Sequence, residues 1–187
     1  MKKRILLYPE EEKLLRTPTQ PVTRVDKKIR ALVQDLKDTL ATEAGVGLAA
    51  PQIGILKRVA IIRLGQKHDG DPDKDLSAPI ALINPQVVEA SEAEERDYDA
   101  CLSIPGLYGY TYRAEKIKIA ALNEDGKPFE LEVSGLDARC ALHEIDHLDG
   151  ILFLDRIRTQ DDLYIVKRDK RGKIVHVPIT EVLKTVE

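Results

Sequence analysis

Residues 143–147 read His-Glu-Ile-Asp-His. On an α-helix, positions four apart lie on one face, so His143 and His147 can present two imidazoles to one metal ion. Glu144 lies about 100° round the helix from His143, close enough to reach a water on that ion. Two neutral imidazoles, a carboxylate base and an open coordination position suit hydrolysis by a metal-activated water. The chain continues Leu148-Asp149-Gly150, so Gly150 can close the helix soon after the second histidine.

A catalytic metal site usually takes a third protein ligand. The histidines outside the motif are His68, in a polar loop, and His176, near the C-terminus. Cys101 is the better candidate. It lies in Asp99-Ala-Cys-Leu-Ser-Ile-Pro-Gly106 between predicted strands, and a thiolate is a strong ligand for zinc or iron(II). Cys140 lies three residues before His143 and shares its helical face. It could be a ligand or a pocket wall, although a cysteine on an apolar helix face is more often packing. A third segment, Gly45-Val-Gly-Leu-Ala-Ala-Pro-Gln-Ile-Gly54, combines small residues that let a backbone approach a ligand with the amide donor of Gln52.

Elements must hold these segments. Asp26 caps a predicted helix over 27–43, in which Ile29, Leu32, Val33, Leu36 and Leu40 fall on one buried face. Gly45-Val46-Gly47 is expected to end it. Residues 58–64 are strand-like, 65–79 read as an exposed polar loop, and strands are expected near 80–83, 86–90, 115–122 and 128–133. The last two are joined by the turn Asn123-Glu-Asp-Gly126. The metal-site helix covers about 136–148, and a final hairpin pairs 163–167 with 173–177. Strands bunched around two helices without βαβ alternation argue α+β. The expected architecture has antiparallel or mixed strands packed around a central H-E-x-x-H helix and an N-terminal helix. Residues 1–187 are expected to form a single catalytic domain.

Composition excludes several classes. The formal net charge is −3, which gives no global basic field for DNA or a membrane surface. Two cysteines are too few for a disulfide-stapled secreted scaffold. The N-terminus has a four-residue apolar run followed by Glu10, Glu11 and Glu12, too short for a signal-peptide core, and no run approaches a membrane span. A cytoplasmic protein is expected.

Together and in this order, the three segments resemble the peptide deformylases. That family's pattern is G-x-G-L-A-A-x-Q, then E-G-C-L-S, then H-E-x-D-H-L-x-G. This chain supplies G-V-G-L-A-A-P-Q, D-A-C-L-S and H-E-I-D-H-L-D-G. The resemblance spans about residues 5–158, including the strand Arg113-Ala-Glu-Lys-Ile-Lys-Ile and the hairpin Asp-Gly-Lys-Pro-Phe. It implies Cys101, His143 and His147 as ligands of one divalent ion, with iron(II) expected and zinc, nickel or cobalt as substitutes. It implies Glu144 as general base, acting in the removal of the formyl group from N-formylmethionyl peptides. Gln52 and the Leu102 backbone N–H then hold the developing oxyanion. Gly47 and its neighbours form the edge for an extended peptide, and Val46, Cys140 and the helix face before His143 wall the methionine pocket.

The second motif departs from the family, with Asp99-Ala100 in place of Glu-Gly. A carboxylate one methylene shorter must bring its partner closer or lose it. Alanine suits positive φ poorly and adds a methyl beside the substrate-binding position Ala100. Tyr108 stands where the family often has arginine. These changes leave open a metal-binding relative with low activity, and H-E-x-x-H alone also serves zinc peptidases. Asp146 is expected to pair with Arg113. The basic run Lys167-Arg-Asp-Lys-Arg-Gly-Lys173 is either a solvated hairpin tip or a weak ribosome contact through RNA phosphate.

Overall fold

The computed structural model describes residues 1–66, 76–168 and 172–183. After a short α1 (Glu12–Leu15), helix α2 (Lys27–Leu40) starts at Asp26, whose carboxylate accepts from Lys28 N at 2.8 Å and Ile29 N at 3.0 Å. Its buried face carries Ile29, Leu32, Val33, Leu36 and Leu40, as the spacing predicts. The helix stops at Leu40, short of the expected 43. Two hydroxyls explain the early end: Thr39 Oγ1 donates to Asp35 O at 2.6 Å and Thr42 Oγ1 to Thr39 O at 2.9 Å, occupying carbonyls of the last turn. Gly45 therefore comes too late to act as the stop.

The segment read as a Gly-Ala turn holds strand β1 (Gly47–Ala49) and a 3₁₀ turn, Ala50–Ile53. Strand β2 (Val59–Ile62) follows, then β3 (Ile80–Ala90). The two strands expected at 80–83 and 86–90 are one, with its register broken between Ile83 and Gln86. Asn84 there takes φ +52 and its side chain bonds both Val22 N and Val22 O at 2.8 Å. Next come β4 (Glu94–Ala100) and β5 (Leu107–Ala114), neither anticipated, then β6 (Lys116–Leu122) and β7 (Pro128–Ser134). Helix α3 (Gly135–Leu148), β8 (Leu163–Arg168), β9 (Ile174–Pro178) and α4 (Ile179–Leu183) complete the described chain.

The strands form two antiparallel sheets, ordered β1-β2-β3-β6-β7 and β4-β5-β8-β9. The fold class is α+β, as expected. Parallel pairing, allowed for in the sequence reading, is confined among the described residues to one isolated bridge, Gln20 to Lys57. Strand β2 is buried on both faces. Val59 and Ile61 pack with Leu32, Val33 and Leu36 of α2, while Ala60 and Ile62 pack with α3 residues including Leu148, Ala141 and Ile145. Alternation along one strand thus places the two helices on opposite faces of the first sheet. No helix among the described residues is long and apolar enough to cross a membrane.

Helix α3 ends as Gly150 predicts. Ile151 N bonds Asp146 O at 2.9 Å and Gly150 N bonds His147 O at 3.2 Å, with Gly150 at φ +74. The N-terminal segment crosses this end: Thr19 N and Oγ1 both donate to Leu148 O, at 2.9 and 2.8 Å. A Cβ at Gly150 would lie 2.8 Å from the carbonyl carbon of Arg16.

Candidate metal centre

One turn of α3 separates His143 and His147, whose ring centroids are 4.9 Å apart. Cys101, the residue after β4, meets them from the second sheet, its Sγ lying 3.2 Å from His147 Nε2. Donor atoms of Cys101, His143 and His147 all fall within 4.8 Å of one another, and all three residues are buried. Among the described residues this is the cluster able to hold a metal ion. One thiolate and two imidazoles suit zinc or iron(II). The neighbouring Glu144 supports that fit: it is buried, and its Oε2 has no hydrogen-bond partner. Such an orphan is costly unless it meets a water or ligand.

The residue left unexplained by sequence, Asp99, fixes the geometry. Its Oδ1 lies 2.7 Å from His143 Nδ1. Its Oδ2 accepts from Arg113 Nη2 at 2.7 Å, Arg113 Nε at 2.9 Å and Thr111 Oγ1 at 3.0 Å. Burial alone would raise the Asp99 carboxyl, but the charges of His143 and Arg113 hold it far below the usual carboxylate range. An anionic Asp99 has no proton to donate, so Nδ1–H of His143 donates to it, and a metal would take Nε2 by displacing the proton that Asp99 helps the ring to keep. Burial keeps His147 well below the ordinary histidine value, in the neutral form that ligates. The shorter carboxylate reaches histidine and arginine at once.

Arg113 continues the network, its Nη1 bonding Asp146 Oδ2 at 2.8 Å. The expected ion pair between them is present, and Arg156 joins Asp146 from the other side, Nη2 to Oδ1 at 2.5 Å. Burial pushes Glu144 up to about 7, against the opposing charge of His143. A carboxyl held there can both take and return a proton near neutral pH. Cys140 does not join the cluster, and burial raises its thiol well above the ordinary value, so it is a neutral wall.

A cleft of about 220 Å³ opens onto this centre. Val46, Gly47, Gln52, Ala100, Leu102 and Cys140 line it beside His143 and Glu144. Gln52 is anchored by its Oε1, which accepts from Ala49 N at 2.8 Å, leaving Nε2 directed to Ser103 Oγ at 3.2 Å and Cys101 Sγ at 3.6 Å. Gly47 is required where it stands, because a Cβ there would fall 2.8 Å from Cγ and Cδ of Glu144. Ala100 ends β4 in strand pairing with Tyr108, and the one non-glycine residue at positive φ among those described is Asn84. The backbone at Ala100 therefore does not need glycine.

Sequence reasoning missed Tyr98 and Arg139, which also line the cleft. Arg139 had a positional signal, lying four residues before His143 on the expected helix, whereas Tyr98 had none because its strand was not anticipated. His176 lies on β9, outside the cluster, and His68 lies outside the described residues.

The known proteins that this chain is similar to are deformylases. A family profile described as polypeptide deformylase matches residues 2–162. "Peptide deformylase 1" of Bacillus subtilis (strain 168) is 44% identical over 164 residues, covering 86% of this chain and 95% of that relative. A peptide deformylase of Neisseria gonorrhoeae is 43% identical over 153 residues, covering 82% of this chain and 85% of its own length. A crystal structure of a Legionella pneumophila peptide deformylase superposes with a TM-score of 0.73 at 40% identity, covering 84% of this chain and 86% of that one. The Met-Ala-Ser-bound class I type b enzyme of Acinetobacter baumannii gives a TM-score of 0.76 at 31% identity, covering 84% of this chain and 99% of that one. With the family profile and the relatives agreeing on nearly the same stretch, the chain belongs to the polypeptide deformylase family.

Proposed function

We propose that this chain removes the formyl group from the N-terminal formylmethionine of newly made peptides and releases formate, acting as one catalytic domain over residues 1–187. In that domain the strands pack around the H-E-x-x-H helix α3 and the N-terminal helix α2, a reading supported by the contacts of both helices with β2. The observation that carries the reading is the buried Cys101, His143 and His147 cluster with Glu144 beside it at the mouth of a walled cleft.

Cys101, His143 and His147 would hold one divalent ion, iron(II) by preference, with zinc, nickel or cobalt as substitutes. When bound, the ion supplies the Lewis acidity that makes a water nucleophilic near neutral pH. Glu144 holds the attacking water through its unpartnered carboxylate oxygen and takes its proton. As the formyl carbon–nitrogen bond breaks, Glu144 returns that proton to the leaving amine. Gln52 Nε2 and the Leu102 N–H donate to the formyl oxygen as charge builds on it. Val46, Cys140 and the adjoining wall of α3 receive the methionine side chain. The backbone at Gly47 pairs with the extended peptide, which the missing side chain lets approach. The Met-Ala-Ser-bound relative is consistent with a short peptide in such a groove. Asp99 keeps its contacts with His143 and Arg113, which favours an active enzyme over a silent relative. The thiolate ligand and the Gln52 donor separate this site from H-E-x-x-H peptidases.

A cytoplasmic location follows from this substrate. A weak ribosome contact through the basic hairpin tip completes the reading; of that tip, Lys170 and Arg171 lie outside the described residues, while Lys167, Arg168 and Lys173 are described. The deciding assay measures formate release from a formyl-Met-Ala peptide by the metal-loaded protein, with amide-bond cleavage scored in parallel. Formate without peptide cleavage is the expected result, and loss of it on chelation should accompany loss of the metal. Cleavage without formate would replace the reading with a peptidase.

A further inference from the structure

The hydrogen bond that orients His143 is the inner end of a longer chain of charges. Asp99 Oδ1 meets His143 Nδ1 at 2.7 Å, and Asp99 Oδ2 accepts from Arg113 Nε and Nη2 at 2.9 and 2.7 Å. The third nitrogen of that guanidinium, Nη1, donates to Asp146 Oδ2 at 2.8 Å. Arg113 thus holds two carboxylates with one rigid plane, so a rotation forced at Asp146 is passed on to Asp99. Asp146 accepts two further bonds from Arg156, Nη2 to Oδ1 at 2.5 Å and Nε to Oδ2 at 3.1 Å. The chain runs from the surface to the interior: the Arg156 side chain is 44% exposed, those of Arg113 and Asp99 only 4%. Arg156 closes the 3₁₀ turn Phe153–Arg156, and the first residue of that turn stacks on His143, with ring centroids 6.5 Å apart at 22°. One turn therefore reaches the same histidine twice, by a ring directly and by charge through Asp146.

We propose that Arg156 is a positioning residue for the metal centre, holding His143 in its ligating orientation through Asp146, Arg113 and Asp99. Of the three bonds to the Asp146 carboxylate, only the one from Arg113 survives loss of Arg156. A buried carboxylate stripped of a partner is costly, so Asp146 draws Arg113 towards itself and away from Asp99. Asp99 then loses its two-pronged hold, and the His143 ring loses its fixed direction. The sign of the effect separates this role from plain electrostatics. By field alone, removing a cation favours the binding of a dication, so weaker metal binding reports geometry. The inference rests on the proposed metal site.

The test measures zinc affinity of the full chain by competition with a chromogenic chelator. Arg156→Ala should weaken zinc binding about threefold to tenfold, less than the loss expected on changing Asp99, which touches the ligand itself. Arg16→Ala is the control. It removes the ion pairs of Arg16 with Glu12 and with Asp155, the residue before Arg156 in the same turn, at 2.8 and 2.7 Å. It leaves the chain from Arg156 to His143 whole, so zinc affinity should stay at the parent value. In the zinc-loaded protein the His143 Nδ1 proton, followed by NMR, should exchange with solvent faster in Arg156→Ala and at the parent rate in Arg16→Ala. On an Asp99→Asn background, where the chain is already cut, Arg156→Ala should weaken zinc binding no further. Zinc binding in Arg156→Ala equal to or tighter than that of the parent, an equal loss in Arg16→Ala, or a full additional loss on the Asp99→Asn background would each overturn the role. If the parent chain binds no metal, the proposed function falls and this role with it. If it binds zinc normally, only the role of Arg156 is at stake.

Discussion

Adjacent residues of β4 face two different worlds. Asp99 points inward to His143, Arg113 and Thr111, where every bond is to a buried partner. Tyr98 and Ala100 point outward, to rings and to the cleft. The inner face joins sheet to helix through charge, and buried charge tolerates no loss of a partner. The outer face offers surface contacts whose worth depends on what the peptide brings. One short strand can thus fix the chemistry and tune the substrate independently, because its side chains alternate.

Variants can break or sharpen this contrast. The largest effect belongs to the interior: Glu144→Gln should lose about a hundredfold or more in turnover while retaining metal, read by metal analysis alongside formate release. Near-normal turnover would remove Glu144 from the mechanism. Next, Cys101→Ser should weaken metal binding markedly, whereas Cys140→Ser should keep metal stoichiometry and change peptide affinity. The reverse pattern would exchange ligand and wall. Asp99→Asn leaves Arg113 and His143 short of a carboxylate. It should cost about tenfold to a hundredfold in metal affinity and about 3–5 kcal/mol of stability, measured by competition with a chelator and by denaturation. Smallest of all, Ala100→Gly restores the family residue on the outer face. It should shift stability by about 1 kcal/mol or less and leave metal affinity alone. Should Asp99→Asn alter only peptide preference, or Ala100→Gly release the metal, the division of labour between the faces is wrong.

Much of the interior was legible in the sequence because it rests on local rules. The i, i+4 histidines, the Asp26 cap and the Gly150 stop are each set within a few residues, and all are present. So is the β6–β7 turn, where Asn123 Oδ1 accepts from Asp125 N and Lys127 N at 3.0 Å. Strand β4 was not legible, since Glu94-Glu-Arg-Asp-Tyr-Asp-Ala100 reads as a solvated loop. Its inward acid is affordable only because Arg113 and His143 arrive from elsewhere in the chain, and a local pattern carries no trace of such partners. Strand β1 escaped for the opposite reason. Three residues, Gly47-Leu48-Ala49, are too few to show alternation, and burial on every position comes from the helices around them. The ring contacts of Tyr98, Tyr108 and His176 needed register across four strands before the three shared a face.

The crossing of the chain's first segment over the end of α3 bears on how the enzyme comes into being. Thr19 reaches Leu148 across 129 positions of sequence, and the carbonyl it satisfies lies one residue beyond His147. Contacts between such distant positions form late, because a long loop must close before any bond rewards it. The turn that carries the second histidine is thus secured only once residues 19 and 148 have both been made and brought together. A chain halted before Leu148 lacks the carbonyl that Thr19 meets, so this end of the metal-site helix cannot be closed in this way.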